Sequence, residues 1–574
     1  MKKPPSKNTK WLVLATVCFA LFMINLDGNV VNLAMPTIIR QFGATLSQME
    51  WISNAYMLTF AVFLITLGRL GDAVGRRLLF LAGLAGFTVG SALCGFAANV
   101  GQLIAFRVLQ GIGGSAMMPA TLSLITANFR KEEQGRAMGF WGAVAGLSFI
   151  MGPIIGGWLT QVGLGPALNR LLGVSDTWRY VFFVNLPFGA IAFPLTLAVV
   201  PESKDEESKH RLDVVGVVLS SLAVLLLTWG FVEGPRYGWW KATHDLSIGG
   251  AALHPFGLSV VPFLLAAAAI LVVVFVLYER SRRTDPLVDL SLFRIRNYSV
   301  GMVTGIILNF ALMGAMFLMP LYCQFVLGID PVRTGTLMLP FALSLLVTSP
   351  LAGILSDRIG GKTLLVAGLA ILAASDFLVA RFRMDTPTSQ LVLPFVVMGI
   401  GIGFSMTPLT NLTLHGVPHE KTGGASGLIS TMREIGAVMG VAVFSVILQA
   451  SMGSAIAVHA AEVEGLPPAA RAALVGAVRN GGLSGMLGAG PGVPGPGAAS
   501  MPPAVADGIL RAVKESFTDG VTATFRVAAL VGIAAVLVSL FMTGRRKPAL
   551  SLATNIGESS RKPNLEDERM AAGE

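Results

Sequence analysis

The sequence predicts an all-α membrane protein with fourteen transmembrane helices, built from two six-helix halves and two additional central helices. Composition is the first reason, because 53% of the 574 residues are hydrophobic, only 13% are charged and the mean hydropathy is +0.70. Soluble chains carry about 25% charged residues. Apolar runs long enough to cross the hydrocarbon core as a helix, about 20 residues, recur between short polar breaks. The third reason is an internal repeat.

Fourteen apolar runs are the predicted spans. They lie at 11–33, 50–68, 78–98, 101–121, 138–160, 179–200, 213–232, 257–278, 299–321, 334–355, 363–381, 390–412, 427–450 and 522–542. Lys and Arg are concentrated before the first span and in every second break, as at 76–77, 130–136 and 280–283. Such loops stay cytoplasmic. Both termini are therefore predicted to be inside, and topology rather than nucleic-acid binding explains the net charge of +10.

The repeat defines the predicted domain organisation. Gly68–Arg77 matches Gly353–Lys362 at a separation of 285 residues, and Pro36 matches Pro320 at 284. We expect an N-terminal half at 1–200, a linker with two extra helices at 201–289, a C-terminal half at 290–545 and a cytoplasmic tail at 546–574. Paired halves with a site at their interface are typical of alternating-access transporters, although repeats also occur in channels.

The C-terminal half contains a long predicted external loop at 452–520. Its centre is rich in glycine and proline, which favours a flexible segment. Its flanks at 467–479 and 504–517 are predicted to form short surface helices. The composition of the tail after Lys547 is typical of disorder.

Asp27 is the first functional candidate, because it interrupts the apolar run 11–33. A carboxylate at membrane depth is costly unless it faces a polar cavity or a partner. Arg107 is predicted at a similar depth, since Asp27 lies about 24 Å from the cytoplasmic start of its helix and Arg107 about 9 Å from the outer start of its own. One interpretation is a permanent ion pair that only satisfies two buried charges. The other is a switch, in which a proton or a cationic substrate competes with Arg107 for Asp27.

Other residues extend this candidate site. Asp376, in the predicted span 363–381, is a secondary candidate for proton coupling. Glu434 beside Arg433 is predicted to be a structural or gating pair. The predicted substrate cavity combines amide, aromatic and methionine side chains, although a methionine in a helix is more often packing or lipid-facing. Its residues are Asn25, Asn29, Asn32, Tyr56, Gln110, Met117, Asn309, Phe310 and Met313.

Several segments resemble a known family. Gly68–Arg77 is similar to the loop-2/3 signature of the major facilitator superfamily, Arg107–Gly114 to its helix-4 signature, and Gly152–Gly157 to the helix-5 signature of its antiporters. Leu26–Pro36 and Arg433–Gly436 resemble the fourteen-span drug:proton antiporter family. The resemblance implies a major-facilitator-type bundle. It does not fix the substrate.

Two motifs are predicted to gate the transporter. In the first motif, Gly68 and Gly75 permit a tight turn between two helices. Asp72 can face backbone N–H groups at a helix N-terminus, and Arg76 can form an ion pair across the turn. This motif would latch the cytoplasmic side, although a charged turn can also serve only as a topology anchor. The second motif contains glycines and a proline that let helices approach closely, and the resemblance implies that it seals against proton leak. Its residues are Gly152, Pro153, Gly156 and Gly157.

These observations predict a proton-coupled antiporter that exports lipophilic, cationic drugs or toxic compounds across the cytoplasmic membrane by alternating access. The alternatives are a dedicated exporter of one endogenous metabolite, antibiotic or siderophore, and a non-transporting membrane receptor or scaffold. No Walker-type phosphate loop and no metal-ligand spacing occurs in the sequence, so we expect no enzyme activity, no cofactor and no metal. The expected partners are a small-molecule substrate, protons and the lipid bilayer, and not nucleic acid. The sequence does not indicate an accessory subunit.

Overall fold

The computed structural model describes residues 7–42, 46–162, 176–203, 213–242, 246–248, 251–253, 258–282, 286–418, 421–479 and 502–544. The centre of the predicted external loop, 480–501, and the predicted tail, 546–574, lie outside these ranges.

Helices make up nearly all of the described chain, which confirms the all-α prediction. The first nine are α1 (Lys7–Phe42), α2 (Leu46–Val74), α3 (Arg76–Gly95), α4 (Val100–Asn128), α5 (Lys131–Val162), α6 (Tyr180–Phe183), α7 (Asn185–Val199), α8 (Val214–Tyr237) and α9 (Val260–Ser281). A short antiparallel hairpin, β1 (Leu246–Ile248) and β2 (Ala251–Leu253), lies between α8 and α9. The remaining helices are α10 (Arg296–Leu321), α11 (Pro331–Leu337), α12 (Leu339–Ile359), α13 (Gly361–Val379), α14 (Thr388–Leu414), α15 (Thr422–His459), α16 (Pro468–Arg479) and α17 (Pro503–Ser539).

Among the described residues, thirteen helical segments are long and apolar enough to cross a membrane. Three of them join consecutive helices: α6 with α7, α11 with α12, and α10 with the short π-helix Tyr322–Val326. The remaining predicted span corresponds to α5, which is 32 residues long and begins with the charged sequence Lys131-Glu132-Glu133. It packs lengthwise against α1 and α12. With α5, the bundle is consistent with the fourteen predicted spans.

Local sequence explains where these helices begin and end. Asn99 caps α4 by accepting a hydrogen bond from the backbone N–H of Gln102, and Asp213 caps α8 in the same way through Gly216. Gly75 separates α2 from α3 with a φ of 127°, and the repeat-related Gly360 separates α12 from α13 with a φ of 92°. Only glycine adopts such angles at little cost. The repeat seen in the sequence is thus a repeat of backbone geometry.

The two halves meet mainly through two helix pairs, α2 with α15 and α5 with α12, and α5 also contacts α11 and α14 while α4 contacts α15. Glycines allow close approach at both. A Cβ atom at Gly139 would lie 2.6 Å from the carbonyl oxygen of Ser349, and one at Gly427 would lie 3.1 Å from that of Leu64. On the outer side of the α2–α15 pair, α8 packs against both helices and also against α9. The two extra helices therefore lie beside the junction of the halves.

The last two long helices extend well beyond the predicted spans. α15 has 38 residues and α17 has 37, and each is about 55 Å long at 1.5 Å per residue. The segment 504–517 forms the first part of α17 instead of a separate surface helix, because Val505, Val513 and Phe517 are buried in the core of the C-terminal half. The helix predicted at 467–479 is α16, which packs against α15.

Candidate proton and substrate site

Asp27 lies at the centre of a buried polar cluster in the N-terminal half, and its side chain is 0% exposed. Its Oδ2 atom forms an ion pair with Arg107 Nη1. Its Oδ1 atom accepts a hydrogen bond from Gln110 Nε2 at 2.7 Å and another from Asn185 Nδ2 at 3.0 Å. An ionised carboxylate only accepts hydrogen bonds, and these three donors match that form. The contact between Asp27 and Arg107 expected from their depths is present.

The helices explain this arrangement. Arg107 and Gln110 are three residues apart on α4, so they lie on one face of the helix. Arg107 Nη1 also donates to Gln110 Oε1 at 2.9 Å. Asn185 is the first residue of α7, and its Nδ2 atom also donates to Ser91 Oγ on α3 at 3.0 Å. Four helices therefore contribute to the cluster.

Arg107 is held on every side, and its side chain is 1% exposed. Its Nε atom donates to the carbonyl oxygen of Ile52 at 3.1 Å. Its guanidinium carbon lies 4.2 Å from the centre of the Tyr56 ring, which is the geometry of a cation–π contact. Tyr56 in turn donates to the carbonyl oxygen of Ile24 at 3.4 Å. The pair can open only if these contacts are broken together.

Sequence reasoning missed Asn185 and Ser91, although each is a polar residue within a predicted span, 179–200 and 78–98. Both are 0% exposed. The Oδ1 atom of Asn185 is buried and finds no hydrogen-bond partner in the described part of the chain. A free acceptor therefore lies on the side chain that contacts Asp27.

The other predicted cavity residues are not gathered at one place. Met117 is fully buried in the core of the N-terminal half, which favours packing. In the C-terminal half, Asn309 donates to the Gly305 carbonyl of its own helix at 3.0 Å, and Phe310 packs edge-to-face on Phe444 at 5.5 Å. Met313 is partly buried against the same core and Asn25 is half-buried. The side chains of Asn29 and Asn32 lie outside the described part of the chain.

The predicted secondary proton site, Asp376, lies in α13 and is 1% exposed. Within the described residues its Oδ2 atom has no hydrogen-bond partner. Helix α13 packs against α14 and α17, so Asp376 belongs to the C-terminal half and not to the Asp27 cluster.

Arg433 and Glu434 lie on α15, next to the N-terminal half. Arg433 Nη2 donates to Thr410 Oγ1 at 2.6 Å, and its Nε atom is buried with no partner among the residues described. Glu434 is half-buried on α15, which packs against α2, the helix that carries Tyr56. These two side chains therefore point to different surroundings.

The motif predicted to latch the cytoplasmic side, Gly68–Arg77, has an acidic partner that the sequence did not suggest. Glu202 accepts hydrogen bonds from the backbone N–H groups of Arg77 at 3.1 Å and Leu78 at 3.2 Å, in the first turn of α3. This is the role predicted for Asp72, whose side chain lies outside the described part of the chain. Glycine is favoured at position 75 because its φ of 127° strains any other residue, and a Cβ atom there would also lie 2.7 Å from Glu202 Oε1. Arg76 is 3% exposed.

The remaining gating candidates lie in the helix pairs that join the halves. Gly68 faces α15, where a Cβ atom on Gly427 would lie 3.4 Å from the Gly68 Cα. Gly152 and Gly156 are buried in α5. Pro153 and Gly157 are in the same helix, but their side-chain surroundings lie outside the described part.

Comparisons with known proteins agree with this architecture. The family profile described as Major Facilitator Superfamily matches residues 17–441. The chain is 34% identical over 535 residues to the tetracenomycin C resistance and export protein of Streptomyces glaucescens, covering 92% of this chain and 91% of that one. It is 33% identical over 452 residues to the multidrug resistance protein Stp of Mycobacterium tuberculosis, covering 79% and 78%.

The fold is also similar to that of the human organic anion transporter MFSD10. The TM-score is 0.57 at 11% sequence identity, with 92% of this chain and 99% of that chain covered. The family match extends through both halves and includes the helices that carry Asp27, Arg107 and Glu434. The chain therefore belongs to the Major Facilitator Superfamily and is a multi-pass membrane transporter, not an enzyme.

Proposed function

We propose that this transporter exports lipophilic, cationic compounds from the cell in exchange for protons, by alternating access. The observation that carries the proposal is the buried Asp27–Arg107 pair, which lies in one half only. Two relatives that match most of the chain are named for drug resistance, and one of them also for export. An exporter without ATP chemistry needs an ion gradient, and a single carboxylate at membrane depth is the simplest proton carrier.

In this proposal the proton and Arg107 compete for Asp27. Arg107, Gln110 and Asn185 all contact the carboxylate as donors, which supports a paired Asp27 in this arrangement. A proton on Asp27 cancels its charge, so Arg107 loses its ion pair and keeps only neutral partners, the Gln110 amide oxygen, the Ile52 carbonyl and the Tyr56 ring. A buried charge without its partner is strongly unfavourable. Protonation therefore favours a rearrangement that brings Arg107 toward water or substrate.

The substrate would bind between the halves, where α2, which carries Tyr56, packs against α15, which carries Glu434. Asp27 is fully engaged by three donors in this arrangement, so it offers little attraction to a cation. Glu434 is half-buried and has a carboxylate that can face a positive charge. An aromatic ring and a carboxylate at one helix interface are suited to lipophilic cations. Protonation of Asp27 would release Arg107 next to this region and expel a bound cation by repulsion.

A second candidate is export of one dedicated compound. One relative favours this candidate. The protein that matches 92% of this chain is named for resistance to one compound, tetracenomycin C, and for its export. The site of a dedicated exporter would hydrogen-bond its substrate through fixed polar groups. The relative named as a multidrug resistance protein, which matches 79% of this chain, favours the broader interpretation.

Purified protein in unbuffered solution tests the proton exchange directly. If substrate and proton compete, adding a lipophilic cation such as tetraphenylphosphonium releases protons in proportion to the substrate bound at any pH where the substrate-free protein carries the proton, so the titration is run over a range of pH. Binding without proton release would contradict the exchange. A panel of lipophilic cations, neutral antibiotics and anions then separates the two candidates, because a dedicated exporter responds to one compound only.

A further inference from the structure

His459 ends α15 beside carboxylates that the proposed transport cycle does not use. Glu462 follows it in the chain, and Glu515 and Asp519 lie one turn apart on α17. The Nδ1 atom of His459 is 3.4 Å from Glu515 Oε2 and 3.7 Å from Glu462 Oε2, and its Nε2 atom is 2.9 Å from Asp519 Oδ2. Both ring nitrogens therefore face carboxylate oxygens.

The Asp519 contact decides which ring nitrogen carries the hydrogen in a neutral imidazole. An ionised carboxylate only accepts, so the hydrogen of His459 lies on Nε2. The Nδ1 atom then carries a lone pair, and it is buried with no hydrogen-bond partner among the described residues. A lone pair directed at two carboxylates is repulsive unless a cation lies between them.

The spacing of the three groups fits a metal ion. One donor atom each from His459, Glu462 and Glu515 lies within 4.8 Å of the other two. Tetrahedral ligands at about 2.0–2.2 Å from Zn²⁺ are about 3.4 Å apart, and the two contacts of Nδ1 are 3.4 and 3.7 Å. A metal-bound imidazole usually donates its other N–H to a carboxylate. Asp519 has that position.

Neighbouring groups make the site accessible and negative. A cavity of about 300 Å³ is lined by His459, Glu515 and Asp519 together with Arg383 and Asp385 from the connection between α13 and α14. Arg511 Nε lies 3.0 Å from Glu515 Oε1, which leaves Oε2 directed at His459. Four carboxylates and two guanidinium groups thus give the cluster two net negative charges. A divalent cation would neutralise them.

We propose that His459, Glu462 and Glu515 bind a divalent transition-metal ion of the Zn²⁺ type, with Asp519 orienting the imidazole. One nitrogen and two oxygen ligands favour Zn²⁺ over Mg²⁺ or Ca²⁺, which take oxygen ligands only. Water from the cavity completes the coordination. The ion links the end of α15 to α17 at the end of the bundle opposite the start of α1, so it stiffens the predicted external face of the C-terminal half.

Calorimetric titration of Zn²⁺ into the full-length chain, purified without a histidine tag and freed of metal by a chelator, tests this site. We expect one equivalent to bind, and His459→Gln and Glu515→Gln to weaken binding at least 10-fold. Asp519→Asn should weaken it by about 10-fold through the orientation of the imidazole. His415→Gln is the matched control, since His415 is an exposed histidine just after α14, and it should bind as the wild type does.

Thermal unfolding gives a second readout. Zn²⁺ should raise the unfolding midpoint of the wild type and of His415→Gln but not of His459→Gln, and millimolar Mg²⁺ or Ca²⁺ should not replace it. If His459→Gln does not fold, Glu462→Gln carries the test, because Glu462 is exposed. Absence of saturable Zn²⁺ binding, or equal affinity in the wild type and the folded ligand variants, would overturn the proposal and leave His459 as a protonated ion-pair partner.

Discussion

Asn185 donates a hydrogen bond to Asp27 across 3.0 Å, although 158 residues separate them in the chain. The same amide nitrogen donates to Ser91, whose hydroxyl in turn donates to the carbonyl oxygen of Phe182 at 2.8 Å. The carboxylate is thus connected to α3 and to the start of α7 as well as to Arg107. A change in the charge of Asp27 therefore acts on the packing of several helices of the N-terminal half.

Asn185→Ala should destabilise the protein and impair proton-driven transport, because Asp27 loses a buried donor. Loss of such a hydrogen bond costs about 1–3 kcal/mol. Asn309→Ala is the matched control, since Asn309 is also a buried amide but donates only within its own helix. Thermal unfolding and vesicle uptake are measured for both variants. Equal behaviour of the two would mean that the link between Asn185 and Asp27 has no special role.

Arg107→Ala should lower stability more strongly, by about 3–5 kcal/mol, because it leaves an ionised carboxylate in a buried site. The double variant Asp27→Asn with Arg107→Ala should be more stable than the two single effects predict, since neither charge is then unpaired. Arg107→Lys should recover only part of the loss, because the ammonium lacks the planar fork that reaches both Asp27 and the Ile52 carbonyl. Additive unfolding free energies in the double-mutant cycle would show that the pair is not coupled.

Glu202→Gln should slow turnover and lower stability by about 0.5–2 kcal/mol, because the charged cap of α3 is lost. Substrate affinity should change little, since among the described residues Glu202 accepts hydrogen bonds from the backbone of Arg77, Leu78 and Ser203, and not from the Asp27 cluster. Glu464→Gln, at an exposed carboxylate, is the control. Turnover and binding are measured separately in vesicles and in detergent. A loss of binding at unchanged turnover per bound substrate would place Glu202 on the substrate path.

The fold could be predicted largely from sequence because each span is a local signal. An apolar run of sufficient length is a helix whatever it packs against, and the spacing of 285 residues between the glycine motifs revealed the repeat. The Asp27–Arg107 contact also followed, because depth along two helices can be counted from the residues. Helix ends were harder, as α15 and α17 show, since their extensions are stabilised by packing against each other.

The parts of the site that could not be predicted depend on tertiary contacts. Asn185 and Ser91 are single polar residues in apolar spans, and nothing local distinguishes them from residues that bond within their own helix, as Asn309 does. Glu202 takes the capping role assigned to Asp72 from a position more than 120 residues away. Arg433 and Glu434 were predicted to form a pair because they are adjacent in sequence, but adjacent residues on a helix point in different directions.

The central claim is that Asp27 carries the transported proton, and Asp27→Asn tests it most directly. The amide keeps the size of the side chain and can still contact Arg107, but it cannot exchange a proton. Wild type, Asp27→Asn and the control Glu464→Gln are reconstituted in vesicles at equal density, and uptake of a lipophilic cation is followed after a pH gradient is imposed. We predict gradient-driven uptake in the wild type and the control, and none in Asp27→Asn, whereas uptake by Asp27→Asn at the wild-type rate would contradict the account.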